Sequence, residues 1–190
     1  MSAVVAGTRA KLSLKRFRSM IEAGILRDDE RIELIEGELL NMAPIGAAHA
    51  WGVTQLSAFF MEALANSVHV WTQLPIVLPD WSQPQPDIAL VRRKPGGYAQ
   101  ALPGPEDVLL VIEVSDSSLA YDRGTKLPLY AKHSISETWI VDLQARCIEV
   151  YRQPGPKGYK RRLEFRGTDP VAPAAFPNVK VTAAEAFSVS

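Results

Sequence analysis

The segment DVLLVIEV at residues 107–114 constrains this chain more than any other, because residues 108–112 are all apolar and an acid, Glu113, follows them directly. A short run of this kind bounded by breakers reads as a strand buried on both faces, and such strands occupy the middle of sheets with a layer on either side. A layered α/β fold follows. Glu113 closes a run that excludes water, and an unpartnered carboxylate there would cost several kcal/mol. The fold must therefore bring it a cation, a metal ion or hydrogen-bond donors.

The remaining sequence supplies the layers. Ser13 reads as the N-cap of a helix carrying Leu14, Phe17 and Ile21 on one side, with Gly24 just past its end. An acidic connection, Asp28-Asp29-Glu30, comes next. Residues 31–43 alternate around Glu36-Gly37, which predicts a β-hairpin with Ile32, Leu34, Leu39 and Met42 as its apolar set. Val53, Leu56, Phe60 and Leu64 recur at spacings of three and four, the stripe of a helix over about 47–66 packed on a sheet. Short apolar runs at 68–74, 75–79 and 87–91 predict strands, and 92–106 carries too many prolines and glycines to be regular. ETWIVD, CIEVYR and YKRRLEFR read as further strands, and NVKVTAAEAF as a last strand and a short helix. Pro128 fits only the first turn of a helix, so the helix holding Lys126 is expected to begin near Gly124 or Thr125. No fixed-period repeat appears, so the expectation is one domain over 1–190 with a loose N-terminus at 1–11.

Composition removes several functional classes. Twenty-one Lys+Arg balance twenty-one Asp+Glu, so bulk positive charge does not hold this chain to nucleic acid, and any such contact is local. The single cysteine, Cys147, makes neither an internal disulfide nor a multi-cysteine zinc site, and a reducing cytoplasm is the expected location. No apolar run approaches the roughly 20 residues that cross a bilayer. GxSxG, P-loop, GxGxxG and HExxH motifs are all missing.

What remains is a set of carboxylates in apolar company. Asp87 follows Pro86 and opens a strand; Glu113 closes another; Lys126 is the nearest cation in sequence, and the segment 115–124 is long enough to fold it back to Glu113. Two carboxylates and a lysine suit metal-assisted phosphodiester hydrolysis. Hard oxygens hold Mg²⁺ or Mn²⁺, and the lysine orients a water and offsets charge on phosphorus.

ELIEGEL at 33–39, PQPDIALV at 84–91, LLVIEVSDSS at 109–118, DRGTKLPLYA at 122–131 and ETWIVD at 137–142 together resemble the Uma-two endonuclease family of the PD-(D/E)XK nuclease superfamily, from about residue 12 onward. The resemblance implies a restriction-endonuclease-like fold: a mixed central sheet flanked by helices, with an N-terminal β-hairpin that brings Glu36 to the cleft as a further carboxylate. It places the acidic pair on Asp87 and Glu113. Ser115 stands where the superfamily's E-X-K lysine would fall, and the implied lysine has migrated to Lys126. Asp87, Glu113 and the backbone carbonyl of Val114 form the expected metal site. His49 matches a histidine near the start of the family's long helix. Nucleic acid, DNA above RNA, is the implied partner, with a homodimer as the assembly that cuts two strands.

The bland readings stand beside these. Asp87 also suits a turn after proline, Glu113 a pairing with an arginine, Lys126 a solvated helix face and His49 a structural role. Tyr130 lies four residues after Lys126, where it either packs in the core or contacts substrate. Among the basic clusters Lys15-Arg16-Arg18, Arg92-Arg93-Lys94 and Lys160-Arg161-Arg162, the second is favoured for phosphate contact because it follows the Asp87 strand. The rival function is a catalytically inert nuclease-fold binding module. A third reading, hydrolysis of a non-nucleic phosphate ester, shares the metal site and needs a narrow closed pocket.

Overall fold

The computed structural model describes residues 10–27 and 30–187. Residues 1–9 of the expected N-terminal stretch and Asp28-Asp29 of the acidic connection lie outside the described residues. The chain forms two compact units, one from Met1–Met42 with Leu78–Pro84 and one from Ala43–Val77 with Gln85–Ser190.

In the smaller unit, Ser13 caps α1 (Leu14–Glu22), its hydroxyl accepting from the Arg16 N–H at 3.4 Å. Gly24 takes a φ of +69° just past the helix end. β1 (Ile32–Ile35) and β2 (Glu38–Asn41) pair antiparallel around Glu36 and Gly37, whose φ values of +49° and +87° are those of a tight hairpin turn. Gly37 is required twice over: its φ is left-handed, and a Cβ there would lie 2.8 Å from the Lys11 Cβ. The expected in-out alternation does not hold in this hairpin. Leu39 is 40% exposed, whereas Glu33, Leu34 and Ile35 are all buried. The reason is position: β1 is an inner strand, bridged on its second edge by Gln83, whose N–H donates to the Leu34 carbonyl at 2.7 Å, and β2 lies outermost.

In the larger unit, α2 (Ala47–Leu64) precedes β3 (Val68–Thr72), β4 (Ile88–Arg92) and β5 (Val108–Ser115). A helical crossover follows, made of α3 (Leu119–Tyr121), one π-helical turn (Asp122–Lys126) and α4 (Leu127–Lys132). β6 (Glu137–Asp142), β7 (Cys147–Gly155) and β8 (Gly158–Arg166) complete a six-stranded sheet of order β3-β4-β5-β6-β7-β8. β5 and β6 are parallel and every other neighbouring pair is antiparallel, so the single crossover joins the single parallel pair. β9 (Pro170–Val171) and β10 (Val181–Thr182) pair beside α5 (Ala183–Ala186).

β5 is central and buried at every residue but the half-buried Leu109. Leu110, Ile112 and Val114 join Val53, Leu56 and Phe60 of α2 in one core. The approach is close: a Cβ on Gly52 would lie 3.1 Å from the Val114 side chain. Strand alternation turns Glu113 and Ser115 to the opposite face, which the crossover covers.

Two expectations fail here. Residues 75–79 form no ladder strand, because prolines at both ends remove donors; Ile76 and Leu78 are nevertheless fully buried. The helix holding Lys126 starts at Leu119, not near Gly124, and Pro128 lies well inside it. The Leu127 N–H bonds to the Asp122 carbonyl five residues back, and this wider turn relaxes the ladder where proline's missing N–H and ring would otherwise break it. No helix among the described residues is long and apolar enough to cross a membrane.

Candidate active site

The C-terminal end of β5 meets the start of β4, since the strands run antiparallel with Ile112 opposite Ile88. Beyond that pair, side chains take over from the ladder. Asp87 Oδ2 accepts from the Val114 N–H at 2.9 Å, and the Asp87 N–H donates to Glu113 Oε2 at 3.3 Å. Each acid is held by the backbone next to the other, so both converge on one point at the sheet's end. His49, in the first turn of α2, places Nε2 3.0 Å from Asp87 Oδ2. The Gln73 N–H donates to the Asp87 carbonyl at 2.9 Å.

Glu113 Oε1 faces the crossover. Lys126 Nζ lies 3.2 Å from it, and the Tyr130 hydroxyl donates to it at 2.6 Å. Lys126 also donates to the Gln85 carbonyl at 3.3 Å. These groups are dry: Glu113 is 2% exposed, Lys126 5% and Tyr130 0%. Asp122, 4% exposed, joins them from the π turn, its Oδ2 accepting from the Ser115 hydroxyl at 2.7 Å and the Ser118 hydroxyl at 2.6 Å.

The electrostatics follow from this crowding. Burial pushes the Glu113 carboxyl well above the usual range and the charges of Asp122 and Asp87 add to the rise, while the Lys126 ammonium and Tyr130 hydroxyl oppose it. Burial also raises Asp122, against the Ser118 hydroxyl, Lys126 and the Ser115 hydroxyl. Asp87, Glu113 and Asp122 are thus buried together around the Lys126 ammonium, with the His49 imidazole on Asp87.

The structure thus gathers Asp87, Glu113, Lys126 and His49. Tyr130, for which core packing and substrate contact both stood open, is fully buried with its hydroxyl on Glu113. Arg92, Arg93 and Lys94 are exposed at the far end of β4, which at roughly 3.3 Å per residue sets them apart from Asp87 along the strand. There Arg92 holds the Glu106 carbonyl, Arg93 the Ala65 carbonyl at the end of α2, and Lys94 pairs with Asp107 and lies over the Tyr98 ring. Glu36 is an exposed turn residue of the smaller unit, its N–H donating to the Ser82 hydroxyl at 2.8 Å. Asp122 escaped the sequence reading; its one signal is its spacing, four residues before Lys126 and close after Ser115 and Ser118.

A second acidic group lies on β7 and β8. Among the described residues, Cys147, Glu149 and Glu164 are the one set of three acid, imidazole or thiol groups whose ligand atoms fall within 4.8 Å of one another. Its chemistry does not suit a metal ion. Glu149 is taken by Arg123, Arg162 and the Tyr151 hydroxyl, Glu164 by Arg162 and Arg166, and burial pushes the Cys147 thiol pKa up. Burial raises the Glu149 carboxyl, but its hydrogen bonds from Arg123, Tyr151 and Arg162 outweigh that and hold it below its ordinary 4.5. A depressed carboxylate contributes stability above its unfolded value that is lost as pH falls through the folded value. The gap in urea midpoint between wild type and Glu149→Gln is therefore expected to be widest above about pH 5 and to close below it. A gap independent of pH would contradict this account.

The architecture is that of a restriction-endonuclease-like α/β protein. It is similar to the crystal structure titled as a "putative nuclease belonging to DUF820" from Anabaena variabilis, with a TM-score of 0.73, 18% identity, and coverage of 93% of this chain and 97% of that one. In sequence, residues 15–184 match Uma2, described as "Putative restriction endonuclease", and the chain belongs to that family. No curated protein matches it.

Proposed function

We propose that this chain hydrolyses phosphodiester bonds in nucleic acid, DNA above RNA, using Mg²⁺ or Mn²⁺ held by Asp87, Glu113 and the Val114 carbonyl. The observation that carries the reading is geometric: Asp87 and Glu113 converge at the end of the sheet, each bonded to the backbone beside the other, with the buried Lys126 ammonium against Glu113. Among the described residues, each acid also keeps one lightly loaded oxygen: Asp87 Oδ1 has only the Gln73 amide at 3.5 Å, and Glu113 Oε2 only the Asp87 N–H at 3.3 Å. Val114 turns its N–H to Asp87, and a strand residue sends its carbonyl to the same side. Two carboxylate oxygens and a carbonyl suit a hard cation that retains several waters. When bound, such an ion lowers the pKa of water and stabilises charge on the phosphoryl oxygens.

The chain's own residues do the rest. Glu113, the Gln85 carbonyl and the π turn fix the Lys126 ammonium, which orients the attacking water and draws charge from the phosphate. Tyr130 keeps the Glu113 carboxylate turned to that lysine. His49 holds Asp87 from the α2 side. The water oxygen bonds to phosphorus as the bond to the leaving sugar oxygen breaks, one proton passing to solvent and one returning to the leaving oxygen.

The test uses metal-stripped protein on circular and linear DNA and on RNA of the same sequence, with Mg²⁺ or Mn²⁺ added back, beside calorimetric metal titration. Cleavage is expected only with metal, and Asp87→Asn should lose both binding heat and at least about 100-fold in rate. A wild-type protein that neither binds these ions specifically nor cuts would leave an inert nuclease-fold module.

A further inference from the structure

The crossover that brings Lys126 to Glu113 is anchored by a group with no part in the chemistry above. Asp122 is buried in the first helical turn after β5, yet among the described residues its carboxylate takes no backbone N–H and so is not a helix cap. Both its donors are hydroxyls. Ser115 ends β5 and Ser118 opens the helix, so a single carboxylate oxygen clamps strand end to helix entry across a connection of three residues. The π turn then begins at Asp122 and ends at Lys126, closed by the bond from the Leu127 N–H to the Asp122 carbonyl. This wider turn keeps residues four apart on one face, so the clamp and the ammonium lie one above the other. Arg123, the next residue, ties the same turn to β7 and β6 through Glu149 and Asp142. The lysine's seat is therefore set by what holds the turn.

We propose that Asp122 is a positioning residue for Lys126, acting with Ser115 and Ser118 to hold the ammonium against Glu113; this rests on the reading of Lys126 as the water-orienting group. Ser115 shares its strand face with Glu113, two residues on, and its hydroxyl links the helix to the strand there.

The experiment is a double-mutant cycle on the full chain with DNA and Mn²⁺. Asp122→Ala is expected to lower kcat about 10–100-fold with KM unchanged. Asp122→Asn keeps an acceptor oxygen and should recover most of that loss. In a Lys126→Met background Asp122→Ala should cost nothing further, because the group it places is gone. Losses that multiply in that background, or that merely track a fall in Tm, would overturn the proposal. A wild-type chain that cuts nothing removes the nuclease reading instead, and the clamp is then decided without catalysis. Acylation of Lys126 well below Tm is read by mass spectrometry against the exposed Lys157 and Lys160. Asp122→Ala should raise labelling at Lys126 selectively; unchanged labelling overturns the assignment.

Discussion

Glu113→Gln is expected to lower metal-dependent cleavage by at least about 1,000-fold, equivalent to about 4 kcal/mol, while leaving the fold standing. The glutamine oxygen still accepts from Tyr130 and Lys126, at the positions now 2.6 Å and 3.2 Å away, and only the long contact with the Asp87 N–H is lost. The substitution also relieves the burial of a charged group. Glu113→Ala differs, because it opens a cavity and strips the buried lysine of its partner, at a cost of about 3–5 kcal/mol. Cleavage rates and urea midpoints on the two proteins separate chemistry from folding. A Glu113→Gln protein that cut at the wild-type rate would remove Glu113 from the metal site.

Lys126→Met is expected to cost about 3–5 kcal/mol of stability in metal-free buffer at neutral pH, a large effect for one residue. Methionine fills the volume of the lysine stem but leaves Glu113 and Asp122, 2% and 4% exposed, without the ammonium that offsets them. The destabilisation should be partly reversed by Mg²⁺, since a ligand that binds only the folded state at a hundred times its Kd returns about 2.7 kcal/mol. Thermal melts with and without the ion check this. A loss below about 1 kcal/mol would show that the ion pair contributes no more than an exposed one.

The elements that form the site were legible where burial leaves a pattern. Five apolar residues before Glu113 announced a central strand and an acid needing partners, and Pro86 before Asp87 marked where the next strand begins. Patterns of this kind report what one element buries, not what another element brings to it. Asp122 lies in a polar stretch whose helical winding was hidden by reading Pro128 as a helix start. Arg92 to Lys94 show the converse: adjacency to Asp87 in sequence becomes separation along the strand once it is extended. Residues 75–79 looked like a strand because apolar content alone does not reveal whether a ladder partner exists.

The way Asp87 and Glu113 lend one oxygen each to the fold bears on ion discrimination. With Asp87 Oδ2 occupied by Val114 and His49, and Glu113 Oε1 by Lys126 and Tyr130, neither acid is free to chelate through both oxygens. At the metal site proposed above, monodentate ligation would suit small octahedral ions and disfavour calcium, whose higher coordination number commonly draws on both oxygens of one carboxylate.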